Sequence, residues 1–330
     1  MLHRLNLQTP STLKNKIAGL PTKSTRPEEG NSAPQKTAPP RPAEPPPHAM
    51  AHWWQENGRP LDLFFNGFFA RGELKPGVRL DQTRRTKNGA RVLVLEVDPT
   101  RVRLEAAFSD GVQPITPQRV RQTPHLAAAV NAAFFGFGST EATYGDLRGA
   151  GKTYLDEKFG SGYDSISDRR YFIAQKDDGE VFFGRGGLSE LGMPDNVTGF
   201  VGGMGRLFSA EEAPRLAADV TSGAFNQRLR AAVANRSFPN TDLTSGIART
   251  LVGRKEDGTV LLVTLGEGNN RARGAGFAEA ALLLRNLGAV EAYTLDGGGS
   301  THMIAPGTLE TRGDGRSVKS YLMVRTPPTE

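Results

Sequence analysis

The sequence predicts a mixed α/β (α+β) domain, with a mixed sheet built of hairpins, a few packed helices and a strand that runs into a glycine-rich loop. Three observations lead there. Several short apolar segments alternate with period two and are separated by Gly, Pro and Asp turn residues. One long stretch, Gly276 to Leu287, carries apolar residues at helical spacing between two strand patterns. Residues 1–48 show no hydrophobic period and stand apart from the rest.

Within that first region, Ser32 to Pro47 reads SAPQKTAPPRPAEPPP, which cannot bury a core, so residues 1–48 are expected to be a disordered, Pro-rich tail. A folded domain is expected over 49–330, opening with the apolar cluster Trp53, Trp54, Leu61, Phe64, Phe65, Phe68 and Phe69. Arg91 to Val97 alternates as a strand. Asp98-Pro99-Thr100 signals a turn and Arg101 to Phe108 answers it, so a hairpin is expected. A helix is expected near Thr116 to Gln122, then a buried strand from Leu126 to Phe135 that ends at Gly136. Tyr171 to Gln175 and Val181 to Phe183 flank Lys176-Asp177-Asp178-Gly179 as a second hairpin. Gly199 to Phe208 reads as a glycine-rich strand or loop, and Ser222 to Asn235 as a helix.

From Ile247 to Arg325 the pattern is that of one βαβ-type module. Thr250 to Gly253 and Thr259 to Leu265 flank an acidic-Gly turn. Phe277, Ala281, Leu284 and Leu287 mark a helix that Gly288 can end in the left-handed conformation. Ala289 to Leu295 is a strand that runs directly into Asp296-Gly297-Gly298-Gly299-Ser300-Thr301. Met303-Ile304 and Ser320 to Val324 follow as apolar pieces.

Composition bounds the chemistry. The 330 residues include no cysteine, which excludes a disulfide scaffold, a thiolate zinc site and a cysteine nucleophile. The net charge of +6 is concentrated in basic segments such as Arg79 to Arg91 rather than in a nucleic-acid motif, so no nucleic-acid partner is expected. No window approaches the roughly 20 apolar residues that span a bilayer. Met1 to Gln8 lacks the apolar stretch of a secretory signal. The expectation is a soluble chain, cytoplasmic or exported by a non-classical route.

Three consecutive glycines at a strand end cost backbone entropy, about 0.5–1 kcal/mol each relative to alanine. Two suffice for most turns. A third suggests that amides such as those of Gly297, Gly298 and Gly299 approach a ligand and form a nest for an anion such as phosphate. Ser300 and Thr301 can add hydroxyl donors. Asp296 beside an anion then serves as acid, base, nucleophile or metal ligand. The loop is neither a Walker phosphate loop nor a dinucleotide fingerprint, and Ser300 lacks the G-x-S-x-G elbow. Gly202-Gly203-Met204-Gly205 is a second glycine cluster. Arg249 enters an apolar strand and needs either a structural partner or an anion. Asn131 lies in an apolar strand and must be hydrogen-bonded, to backbone or to a sugar hydroxyl. His302 follows the loop and His125 precedes a strand, neither with metal-ligand spacing. No cofactor is required. A divalent cation is compatible with Asp296, and no oligomeric state is specified.

Assembled, these motifs resemble the phosphodiester glycosidases. Gly246-Ile247-Ala248-Arg249-Thr250 through Leu295-Asp296-Gly297-Gly298-Gly299-Ser300 is similar to the family's Arg-Thr strand, acidic-Gly hairpin, helix ending in Leu-Gly and Asp-Gly-Gly-Gly-Ser. Asn131-Ala132-Ala133-Phe134-Phe135 is similar to its Asn-Gly-Gly-Phe-Phe, and Gly202-Gly203 to its central glycine pair. The chain departs at Ala248, Ala132-Ala133 and Thr301, and over a longer segment from Tyr144 to Asp168. The resemblance implies hydrolysis of a sugar-1-phosphodiester or related glycosidic bond. It further implies a carbohydrate or sugar-phosphate substrate and a bacterial exopolysaccharide or cell-wall context. The roles implied put the phosphate on the glycine amides and Arg249, and Asp296 at the sugar or on water. Asn131, Thr250, Ser300 and Thr301 orient oxygens, while Gly203 and His302 border the substrate. Asp146, Asp156 and Glu105 are candidates for a second carboxylate. Two other readings remain: a cell-wall glycan hydrolase, as a delivered effector or lytic protein, and a non-catalytic carbohydrate- or anion-binding module.

Overall fold

The structure is a computed structural model that describes residues 70–85, 90–136, 142–156, 170–239, 242–266, 274–305, 311 and 313–328. All fall within one compact unit, Trp53–Glu330. The expected tail at 1–48 and the aromatic cluster from Trp53 to Phe69 lie outside the described residues.

In chain order the strands are β1 (Ala70–Lys75), β2 (Val78–Arg85), β3 (Arg91–Val97), β4 (Arg103–Phe108), β5 (Leu126–Asn131), β6 (Leu147–Gly149), β7 (Lys152–Tyr154), β8 (Tyr171–Lys176), β9 (Val181–Arg185), β10 (Val197–Phe208), β11 (Arg249–Lys255), β12 (Val260–Leu265), β13 (Ala289–Thr294), β14 (Met303–Ile304) and β15 (Ser320–Arg325). The α-helices are α1 (Pro117–Arg121), α2 (Leu216–Ser222), α3 (Ala224–Ala234) and α4 (Phe277–Asn286). An 11-stranded sheet runs β1-β2-β3-β12-β11-β13-β10-β6-β7, with β8 also on β10 and β9 on β8. A four-stranded sheet runs β14-β5-β15-β4. Large sheets and few helices are as expected. Every described strand pair is antiparallel, however, so the sheet expected to be mixed contains no parallel pair.

The βαβ expectation takes a split form. Both β12 and β13 pair antiparallel with β11, so they run the same way with β11 between them, and α4 makes the crossover. The hairpins β8–β9 and β11–β12 form as expected. The hairpin expected from Arg91 to Phe108 does not. The turn at Asp98 is real, its carboxylate accepting from the Thr100 amide at 3.0 Å. Yet β3 pairs with β2 and β12 while β4 pairs with β15, so the turn hands the chain from one sheet to the other. Both strands are buried along most of their length, β3 between two neighbours and β4 as an edge strand against the core between the sheets, which a free two-stranded ribbon would not provide. The helix expected over Ser222 to Asn235 forms as α3, and α2 precedes it, broken off where Gly223 turns left-handed (φ +81).

Two apolar layers fix the geometry. Between the sheets, Leu93, Leu95, Val130, Val252, Leu262, Leu295, Leu322 and Val324 pack together. On the other face of the large sheet, Leu251, Leu261, Val263 and Ala292 pack against Leu216, Phe225, Phe277 and Leu284 of the helices. Neighbouring residues on β11 therefore face different layers, Leu251 the helices and Val252 the second sheet.

Candidate active site

β13 delivers its loop over the start of β11. The Leu295 amide donates to Thr250 O at 2.9 Å, the Asp296 amide to Ala132 O at 2.9 Å and the Gly298 amide to Ala248 O at 2.7 Å. A single 3-10 turn, Gly298–Ser300, follows. Each glycine has its own reason. A Cβ on Gly297 would lie 2.8 Å from Ala248 O, and Gly298 adopts φ +60. A Cβ on Gly299 would lie 2.2 Å from Asp314 Oδ2 and 2.5 Å from Arg316 Nη2. The third glycine thus admits other chain rather than a ligand.

Amide accounting corrects the expected anion nest. Besides Gly298, the Gly297 amide donates to the Asp296 carboxylate at 2.8 Å, Ser300 to Gly297 O at 3.2 Å and Thr301 to Gly298 O at 3.2 Å. Four of the five amides from Gly297 to Thr301 are spent within the protein, because the turn is built from those bonds.

Asn131, fully buried at the end of β5, joins the two sheets at this point. Its Nδ2 donates to Asp296 O at 2.8 Å. Its Oδ1 accepts from the Thr250 hydroxyl at 2.6 Å and from the His302 amide at 2.9 Å. Asn131, Thr250, Asp296 and His302 are thereby brought together. The His302 ring sits with Nδ1 3.2 Å from Ser300 O. Thr301 is buried, and its hydroxyl has no hydrogen-bond partner.

The Asp296 side chain is half-buried. Burial pushes its pKa up to about 6, against the Ser300 hydroxyl, the Gly297 amide and the positive charge of Arg316, all of which favour the ionised form. The arginine that Asp296 feels is therefore Arg316.

Arg249 lies elsewhere. Thr250 faces the second sheet, so Arg249 faces the helices. Its guanidinium stacks on Phe277 (3.8 Å to the ring centre) and donates to Ala275 O at 3.0 Å and to Asp242 O and Ser245 O at 3.1 Å each. Nη1 is buried without a partner. Burial lowers its pKa to about 10. The fork expected to meet phosphate is engaged by backbone carbonyls on the far side of the sheet. Gly203 sits in a bulged part of β10 at φ +76, where a Cβ would lie 1.7 Å from Tyr144 O. Pairing of Gly205 with Thr294 sets it in the strand beside the one that carries Asp296.

Among the second-carboxylate candidates, Asp146 is buried and accepts from the amides of Asp156 at 2.9 Å and Leu188 at 2.7 Å, with burial raising its pKa to about 6. Asp156 is buried beside it. Glu105 accepts from the Ala150 amide at 2.8 Å and pairs with Arg325. Among the described residues no group of three or more metal-ligating side chains clusters.

The phosphodiester glycosidase family model matches residues 125–325, well over half of the chain. The chain belongs to the phosphodiester glycosidase family. Solved structures agree on the fold. The catalytic domain of zebrafish N-acetylglucosamine-1-phosphodiester alpha-N-acetylglucosaminidase, auto-inhibited by its pro-peptide, superposes with TM-score 0.54 at 17% identity over 79% of this chain and 82% of that one. A hypothetical protein from Synechocystis superposes with TM-score 0.50 at 15% identity over 79% of this chain and 64% of that longer one. No curated protein matches the sequence.

In this phosphodiester glycosidase domain, Asp314 and Arg316 are the neighbours of the loop that the sequence did not point to. Gly313-Asp314-Gly315-Arg316 reads as an ordinary turn. Its signal is an Asp and an Arg on either side of Gly315 ahead of the last strand. A cavity of about 310 Å³ adjoins this segment, lined by His302, Thr311, Gly313, Gly315, Ser317 and Arg121. No described helix is long and apolar enough to cross a membrane.

Proposed function

We propose that this domain hydrolyses a sugar-1-phosphodiester or a related glycosidic bond, with Asp296 as the carboxylate acting at the anomeric carbon or on the attacking water. The family supplies the reaction class. The observation that carries the assignment is the placement of Asp296. Its backbone is pinned by Asn131 and Ala132 while its side chain stands half-buried, with a pKa of about 6. Such a group is ionised at neutral pH and remains basic enough to take a proton.

In the reaction the anomeric C–O bond breaks. The sugar takes the hydroxyl of water, and the phosphomonoester leaves with the proton. Phosphate is a fair leaving group, so little protonation is needed, and an oxocarbenium-like transition state is met by a nearby carboxylate. Asn131 and Thr250 position that carboxylate through the backbone. Ser300 orients it through its hydroxyl, Thr301 and His302 border it, Gly203 lets the neighbouring backbone approach, and Arg249 braces the strand from the helix side. The substrate is a carbohydrate phosphodiester.

The test is to incubate the protein and its Asp296→Asn variant with a panel of sugar phosphodiesters and purified glycans and follow products by mass. Release of free sugar by the wild type alone is expected. Equal turnover by the variant overturns the role of Asp296. Reducing ends appearing only from purified sacculi would make it a cell-wall glycan hydrolase, and binding by calorimetry without turnover a non-catalytic module.

A further inference from the structure

We propose that the substrate's phosphate docks on Arg316, with Asp314 as the residue that holds the guanidinium in position; this rests on the phosphodiester reading of the same site. Three features of the packing lead there. First, the loop at 297–301 and the segment at 313–316 are built to touch. The Asp314 amide donates to Gly299 O at 3.0 Å, and a Cβ on Gly313 would lie 1.9 Å from that same oxygen. Glycine stands on both sides of the contact, which admits no side chain on either.

Second, the space left by Gly299 is filled by the Asp314 carboxylate and the Arg316 guanidinium. Arg316 Nε donates to Asp314 Oδ1 at 2.9 Å and Oδ2 at 3.1 Å, Nη2 bonds Oδ2 as well, and the Arg316 amide donates to Oδ1 at 3.2 Å. A guanidinium carries five N–H donors in a planar fork that matches phosphate oxygens. Asp314 grips the Nε–Nη2 edge and so fixes the plane of that fork beside the loop.

Third, the Arg316 side chain is 32% exposed, within reach of a solute, whereas the Arg249 guanidinium is buried against Phe277 on the other face of the sheet. Asp296 opens the loop whose Gly299 gap the Arg316 guanidinium fills, and each of the two charges favours the ionised form of the other. A carboxylate at the sugar and a guanidinium at the phosphate are the two charges a sugar-1-phosphodiester presents a need for, on the two sides of the scissile bond.

The experiment compares wild type with Arg316→Ala, Arg316→Lys and Asp314→Asn in three measurements: steady-state kinetics on a sugar phosphodiester, kinetics on a neutral aryl glycoside of the same sugar, and calorimetric titration with inorganic phosphate. Arg316→Ala is expected to raise KM for the phosphodiester at least tenfold and abolish phosphate binding, with KM for the neutral glycoside changed less than twofold. Arg316→Lys should recover part of the affinity, and Asp314→Asn should fall between. Coincident unfolding curves check that each variant is folded. Unchanged KM and phosphate binding in Arg316→Ala, in an enzyme that cleaves the phosphodiester, would overturn the role of Arg316 and leave the activity standing. If the wild type cleaves no phosphodiester, the activity reading falls and the titration still decides: phosphate binding that Arg316→Ala loses supports the site, and no binding to the wild type sinks it.

Discussion

Replacing Asn131 by Ala should cost more than any other single polar change at this site. The amide makes three hydrogen bonds, to Thr250, His302 and Asp296, with no solvent exposure. A buried polar group left without its partner costs about 1–3 kcal/mol. Three such groups would lose their partner at once, and partial relaxation offsets some of the sum. We expect a loss of about 3–5 kcal/mol, a large fraction of the roughly 5–15 kcal/mol that holds a domain folded. At roughly 2–4 °C per kcal/mol for a domain of this size, the Tm should fall by about 6–20 °C. The same change frees the Asp296 backbone, and a carboxylate misplaced by about 1 Å costs on the order of a hundredfold in kcat. Thr250→Val is the control. It removes one donor and leaves Asn131 Oδ1 its bond to the His302 amide, so it should cost only about 1 kcal/mol. Urea unfolding of both variants, with kcat measured where the protein is folded, is the assay. The reasoning fails if Asn131→Ala unfolds within 1 kcal/mol of wild type, or if Thr250→Val costs as much.

Asp296 and Asp146 both have folded pKa values near 6, above the carboxylate norm. The folded state therefore holds their protons more tightly, and the stability each adds below about pH 4 is lost as pH rises toward 6. Asp296→Asn should accordingly raise stability at pH 7.5 by about 1–2 kcal/mol, a figure discounted for the partial exposure of the carboxylate, and leave it unchanged at pH 4. Equal effects at both pH values in urea unfolding would refute this. On the substrate found, kcat/KM should rise through about pH 6 as Asp296 ionises, and a flat profile would remove the carboxylate from the chemistry. Gly298→Ala meets no atom within 4 Å but holds φ +60, so it should cost about 1–2 kcal/mol and spare activity. Gly299→Ala should displace Arg316 and raise KM, and the reverse ranking of the two in kinetics would argue against that contact. Arg249→Ala strips donors from three carbonyls and a cation from the Phe277 ring, and should lower stability by about 2–4 kcal/mol. A loss confined to KM, with thermal unfolding unchanged, would put that guanidinium on the substrate instead.

What could be read in advance follows from which forces are local. The helix α4 and the hairpin β11–β12 were legible because apolar spacing and an Asp-Gly turn act within a few residues. The Asp-Gly-Gly-Gly-Ser-Thr loop was legible as unusual, since three glycines need a reason. The reason itself was not, because the chain that fills the Gly299 gap comes from residues 314 and 316. The partner of β4 was missed because a turn dipeptide states that the chain reverses and not which sheet receives it. Arg249 and Thr250 are adjacent in the sequence, and only the layers on either side of β11 reveal that their side chains part company.

The Asn131 clamp also bears on when this protein becomes competent. Its three bonds span 119, 165 and 171 residues of chain, and they join a strand of one sheet to the loop and strand of the other. Contacts of such long span form only after the intervening loops have closed, which places them among the slow events of folding. A growing chain that lacks residue 302, or a half-collapsed one in which Asn131 has not met Thr250 and Asp296, does not hold the carboxylate steady. Reactivity toward sugar esters would then switch on with the final docking of the sheets, making turnover a direct readout of complete folding.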